Sequence, residues 1–170
     1  MATIVGKLVS CIALPVLMLT TDAFVSNSNA NSQQKPEWYV DCTNRLNPAK
    51  MTCSMAQTVF ANNSRTRIFS ATINKENGGQ PVLTLALPHG LNLLEGVGLA
   101  VDEGQMSKYP IHTADINGAY SQIVLTEDLY MSMRKGNILS LNVTGTSANA
   151  IQLQMSLAGF SSAYDMLQKF

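Results

Sequence analysis

Ile151-Gln152-Leu153-Gln154-Met155-Ser156-Leu157 alternates apolar and polar residues without a break. Successive side chains of an extended chain point to opposite faces. The stretch therefore predicts a strand with Ile151, Leu153, Met155 and Leu157 on one buried face. Just upstream, Ile138-Leu139-Ser140-Leu141-Asn142-Val143-Thr144 repeats the pattern. Residues 82–87 form a further apolar run closed by Pro88, which has no N–H for a ladder. His89-Gly90 then turns the chain, and Leu91-Asn92-Leu93 leads through Gly96 into Val97-Gly98-Leu99-Ala100-Val101. Residues 51–60 and 67–74 are strand candidates around an Ala61-Asn62-Asn63-Ser64 turn, and Asn77-Gly78-Gly79 is a turn signal before Val82. Many short strands at close spacing predict a mainly β fold, not an α/β sheet.

Two segments read as helices. Residues 127–135 carry Glu127 and Asp128 first, Arg134 and Lys135 last, Thr126 as N-cap and Gly136 beyond the end. That charge order matches the helix dipole. Ser162-Ala163-Tyr164-Asp165 has the spacing of a capping box and predicts a short helix towards Phe170. The expected fold is thus a single-domain antiparallel β-sandwich or barrel-like fold with one or two short helices over residues 36–170.

The N-terminus is different in kind. Lys7 precedes a twelve-residue apolar run, Leu8-Val9-Ser10-Cys11-Ile12-Ala13-Leu14-Pro15-Val16-Leu17-Met18-Leu19, and Ala23 follows Thr21-Asp22. A basic start, a run of this length and a small residue describe a secretory signal peptide, residues 1–23, cleaved after Ala23. As a helix the run would reach about 18 Å, short of the ~30 Å hydrocarbon core, which disfavours a permanent transmembrane anchor. Leu8-Val9-Ser10-Cys11 also resembles a lipoprotein cleavage box, but the apolar segment lies after the cysteine. Residues 24–35, rich in Ser, Asn and Gln, read as a flexible leader. Export places the protein in the periplasm or outside the cell.

Eleven basic residues balance eleven acidic ones, and no basic cluster occurs, so nucleic acid is not an expected partner. Hydrophobic residues at 46% against 13% charged are enough to bury a core. Removal of the signal peptide takes Cys11 away and leaves Cys42 and Cys53. In an exported protein such a pair reads as a disulfide, closing a twelve-residue loop at about 3 kcal/mol on the chain-entropy account. A redox-active pair is the alternative, without C-x-x-C spacing. Trp38 and Tyr39 beside Cys42 read as core packing over that bridge.

The chemistry for catalysis is sparse. His89 and His112 are the only imidazoles, and neither stands in H-x-x-x-H or H-E-x-x-H spacing. They read as a turn histidine and a strand-end histidine. Asp102-Glu103 and Glu127-Asp128 are adjacent pairs that close a strand and open a helix. Gly96-x-Gly98 is too short for a phosphate cradle and reads as tight packing or a bulge. The methionines, Met51, Met55, Met106, Met131, Met133, Met155 and Met166 among them, are scattered. No catalytic, cofactor-binding or metal-ligating set is assigned.

The assembled motifs resemble the invasion-associated locus B family of exported bacterial proteins. The matching residues are Trp38-x-x-x-Cys42, Cys53-x-Met55-x-Gln57, Leu85-x-Leu87-Pro88-x-Gly90-x-x-Leu93 and Gly96-Val97-x-Leu99-x-Val101-Asp102. The strand at 151–157 followed by Gly159-Phe160-Ser161 completes them, so the resemblance covers residues 38–170. It implies a second cysteine pair in the pattern Thr-Cys-x-x-x-Gly-Cys. Here that register reads Thr113-Ala114-Asp115-Ile116-Asn117-Gly118-Ala119, with both cysteines as alanine. It also implies a role in bacterial entry into host cells, exerted by a non-enzymatic protein on a protein partner in the envelope or on a host cell. A periplasmic hydrolase or redox protein with an unrecognised site is the other class of reading.

Cleavage after Ala23 makes Phe24 the first residue of the exported chain, and N-terminal sequencing of protein from periplasm or medium checks this. Replacing Leu14 and Leu17 by Arg should leave the chain in the cytoplasm, uncleaved.

Overall fold

The computed structural model describes residues 37–44, 51–62, 64–75 and 79–170. The expected signal peptide with Ala23, the leader at 24–35 and the Asn77-Gly78 turn residues lie outside the described residues. The strands are β1 (Tyr39–Thr43), β2 (Thr52–Phe60), β3 (Arg67–Lys75), β4 (Pro81–Leu87), β5 (Val97–Val101), β6 (Ser107–Tyr109), β7 (Thr113–Asp115), β8 (Gly118–Val124), β9 (Ile138–Thr144) and β10 (Ala150–Ser156). Two helices, α1 (Glu127–Lys135) and α2 (Phe160–Leu167), follow β8 and β10. A 3-10 turn spans Leu93–Glu95.

The strands form two sheets, in the orders β1-β2-β3-β4-β8-β7 and β10-β9-β5-β6, with antiparallel pairing throughout. The fold is a mainly β, antiparallel sandwich with two short helices. Alternation sets its core. The first sheet turns Cys53 and Met55, Phe69, Ala71 and Ile73, Leu83, Leu85 and Leu87, and Ala119 and Ile123 inward. The second presents Val97, Leu99, Leu139, Leu141, Val143 and Met155, and all of these join one apolar cluster. Ser121 occupies an inward position as well. Its Oγ donates to Pro110 O at 2.8 Å, in the segment that carries the chain from β6 to β7. A buried hydroxyl must be paired, and this one clamps the crossing between the sheets.

Helix α1 matches the sequence reading at both ends. Thr126 Oγ1 accepts from Leu129 N at 3.4 Å, and the Gly136 N–H donates to Ser132 O. Helix α2 differs. It starts at Phe160 behind Gly159, whose φ of +82° lies in the left-handed region, so Ser162 and Asp165 fall inside the helix and form no capping box. Burial of Phe160 sets that start, since its ring fills the gap beside Trp38 at 5.2 Å and 86°. Asp165 instead reaches α1, with Oδ1 2.9 Å from Arg134 Nη1.

β10 carries the expected face, but burial along it is graded. Met155 and Leu157 are buried, whereas Ile151 and Leu153 are half-buried because β10 is an edge strand with β9 on one side only. Position in the sheet, invisible in a single strand's alternation, makes that difference.

Leu141, fully buried on the central strand β9, should cost about 2–5 kcal/mol on replacement by Ala. Leu153→Ala should cost roughly 1–2 kcal/mol, and Gln154→Ala should stay within about 0.5 kcal/mol. Urea titrations give the three values, and equal losses for the two leucines would contradict the edge placement.

Candidate functional site

His89, His112 and Asp102 each engage backbone groups, while Glu103 stands exposed beside Asp102. His89 lies in the bend after β4, its Nε2 3.0 Å from Ile116 O. His112 ends the crossing from β6, its backbone N–H donating to Tyr120 O at 2.8 Å and its Nδ1 accepting from Gln122 N at 3.4 Å. The imidazoles thus hold different backbone groups. Asp102 closes β5, and its Oδ1 accepts from Asn137 N at 3.0 Å and Ile138 N at 2.9 Å, pinning the strand end to the start of β9. Glu127 and Asp128 form the first turn of α1. A Cβ on Gly96 would collide with Tyr109 O, and Gly98 lies under the Met106 side chain, so both glycines permit close packing. Met55, Met133 and Met155 are core residues. Among the described residues, no group of three or more His, Cys, Asp or Glu side chains is placed to hold a metal ion.

Cys42 on β1 and Cys53 on β2 stand opposite each other in register and are joined by a disulfide. The aromatic pair beside it splits between two environments. Trp38 is buried and packs on Phe160, while Tyr39 points to the outer face and is 55% exposed. The expectation that both would pack over the bridge is corrected for Tyr39. Alternation from Trp38 forces this, because neighbours on a strand cannot share a face. Ala114 and Ala119 are likewise cross-strand partners, on β7 and β8. The hairpin between them turns through Ile116 and Asn117, with the Asp115 carboxylate accepting from Asn117 N at 2.7 Å and Tyr120 OH at 3.0 Å. The backbone bond from Asn117 is the main cause that holds the Asp115 carboxyl below the ordinary carboxylate value. Asn117-Gly118 is the sequence's hairpin signal for the turn between β7 and β8.

The loops between β2 and β3, β4 and β5, β7 and β8, and β9 and β10 gather at one end of the sandwich. Hydrogen bonds tie them together. Arg67 Nη2 donates to Asn117 O, Asn92 N to Thr144 O at 2.8 Å, and Thr146 N to Gly90 O at 2.9 Å. From this braced end Leu94 and Ile116 project into water, 98% and 90% exposed. Two of the grooves elsewhere on the described surface border the second sheet. One, of about 460 Å³, is on the outer face of the four-stranded sheet beside Gly98, Met106, Asn142 and Gln152. The other, of about 430 Å³, runs between β5 and α1 past Asp102, Ser132 and Lys135. Neither contains a histidine. The arrangement leaves two large apolar side chains exposed on braced loops.

Because Ala114 and Ala119 are register partners, the variant with both as cysteine should form a disulfide on air oxidation. Its six-residue loop should add about 2 kcal/mol on the chain-entropy account. Thiol titration and thermal melts of the oxidised and reduced forms check it.

A family model described as invasion associated locus B (IalB) protein matches residues 38–168. Two invasion protein B homologs of Brucella abortus, from strain 2308 and from biovar 1 strain 9-941, are each 23% identical over 133 residues, covering 78% of this chain and 76% of theirs. The crystal structure of invasion associated protein B from Bartonella henselae is similar in fold, with a TM-score of 0.70 at 23% identity over 81% of this chain and 95% of that one. The family match begins at the buried Trp38 and runs past α2, so it takes in every strand of both sheets, and the chain belongs to the invasion associated locus B family.

Proposed function

We propose that the chain is an exported, non-enzymatic protein that acts in the periplasm or at the cell surface through protein–protein contacts. The supporting observation is the pair Leu94 and Ile116, held almost fully in water on loops braced by hydrogen bonds. Large apolar side chains exposed on a rigid frame lose water without a large ordering cost when a partner covers them. The disulfide between Cys42 and Cys53 suits an oxidising compartment. No helix among the described residues is long and apolar enough to cross a membrane. A part in host-cell invasion is carried over from the names of the relatives, and the loop end is the surface through which it would be exerted.

The test uses the exported chain and the Leu94→Asp/Ile116→Asp variant as baits against envelope and host-surface fractions. Photo-crosslinking from positions 94 and 116 should capture partners that a crosslinker at Gln122 does not, and the double variant should lose at least about tenfold in capture at unchanged melting temperature. Equal capture by the variant would overturn the assignment of the loop end. The Cys42→Ser/Cys53→Ser variant should lose a few kcal/mol of stability, about 3 on the chain-entropy account, yet keep its partners while folded. Loss of binding from a folded form would favour a redox role.

A further inference from the structure

We propose that β10 is an open pairing edge through which two copies of the chain join into one continuous eight-stranded sheet. The inference rests on the fold and is independent of the loop-end reading above.

Four strands end the two sheets, and three of them are blunted. β6 and β7 have three residues each and carry Lys108 and Asp115, and β1 carries Asp41. Short length and charge are the usual protections of a sheet edge. β10 has neither. Its seven residues, Ala150-Ile151-Gln152-Leu153-Gln154-Met155-Ser156, include no charge and no proline.

The direction of its backbone groups follows from three hydrogen bonds. Asn149 O accepts from Gly145 N at 2.8 Å, and Leu157 N donates to Asn137 O at 2.7 Å, so the odd-numbered residues face β9. Ser156 O faces the other way and accepts from Trp38 Nε1 at 3.3 Å. Alternation then directs the N–H and C=O groups of Ala150, Gln152 and Gln154 outward, and all three residues are exposed. Such a row is complemented by an extended backbone and by little else.

A second β10 is the occupant that this row fits. Antiparallel pairing about a two-fold axis at Gln152 sets Gln152 against its own copy and Ala150 against Gln154, three hydrogen-bonded pairs with about six ladder bonds. No like charges meet across the axis, because the strand has none. The same register brings Ile151 opposite Leu153 of the other copy. These are apolar residues left half-buried because, among the described residues, no strand pairs with the outer side of β10. Pairing would remove them from water, so one edge supplies both the ladder and the apolar contact.

Sedimentation of the exported chain across a concentration series tests the proposal. The native protein should be dimeric in the micromolar range. Gln152→Lys, which sets two ammonium groups at the axis, should raise the dimer dissociation constant about tenfold or more. Gln152→Pro removes an outward N–H that β9 does not use and should do the same. Gln122→Lys, exposed on the other sheet, should change nothing. Circular dichroism and melting curves identify folded variants, and Gln154→Lys takes the place of any that does not fold. A native chain that stays monomeric to about 100 µM overturns the proposal. So does a dimer whose constant is unmoved in the folded variants, which would mean another face joins the copies, and so does a monomer that pairs only with a foreign peptide strand.

Discussion

The edge-to-face contact between Trp38 and Phe160 is the join on which the rest of the sandwich depends. Trp38 leads into β1, the last strand of the six-stranded sheet, and Phe160 opens α2 just beyond β10, the last strand of the four-stranded sheet. The indole N–H reaches Ser156 O, so an apolar contact and a hydrogen bond span the same gap. Tyr164 continues the ring cluster to Tyr130 of α1 at 4.5 Å. The aromatic side chains thus bring together the start of the first strand and both helices. Each ring buries a large area, and their mutual geometry adds to that burial.

β1 needs this join. As the edge of the six-stranded sheet it pairs with β2 on one side, so a ladder holds only one of its two backbone rows. Two restraints hold it. The Cys42–Cys53 bridge ties it to its own sheet, and Trp38 ties it to the other. β10, at the facing edge, is held at its end by the same indole, and among the described residues no strand pairs with its outer side. The two ends of the sandwich differ as well. One carries the helices, linked by the Arg134–Asp165 ion pair, and the other carries the braced loops with their exposed Leu94 and Ile116. The helix packing and the exposed apolar loop residues therefore occupy separate regions of the fold.

Much of this was legible in one dimension. The alternation in residues 138–144 and 151–157, Pro88 after β4, and the cap and charge order of α1 are local signals, and the strands and helix lie where they say. β8 lacks a clean apolar alternation for a physical reason. Its inward face is Ala119, Ser121 and Ile123, and a core serine breaks the apolar pattern because its hydroxyl is satisfied by Pro110 O from a segment eleven residues away. β6 and β7 are too short for periodicity to register.

The candidate site was less legible than the fold. Cys42 and Cys53 could be paired from composition and compartment, and the alanines at 114 and 119 stood out by their register in a family pattern. Exposure of Leu94 and Ile116 could not be read, because an apolar residue in a loop looks the same whether it folds back or stands in water. The sequence by itself determined which residues can alternate, turn and cap, since these are properties of neighbours along the chain. Only the tertiary structure decided which strand became an edge, which end gathered the loops and where Trp38 found its partner. Those outcomes depend on contacts between residues far apart in sequence, such as Trp38 with Ser156 and Phe160, that no local pattern encodes.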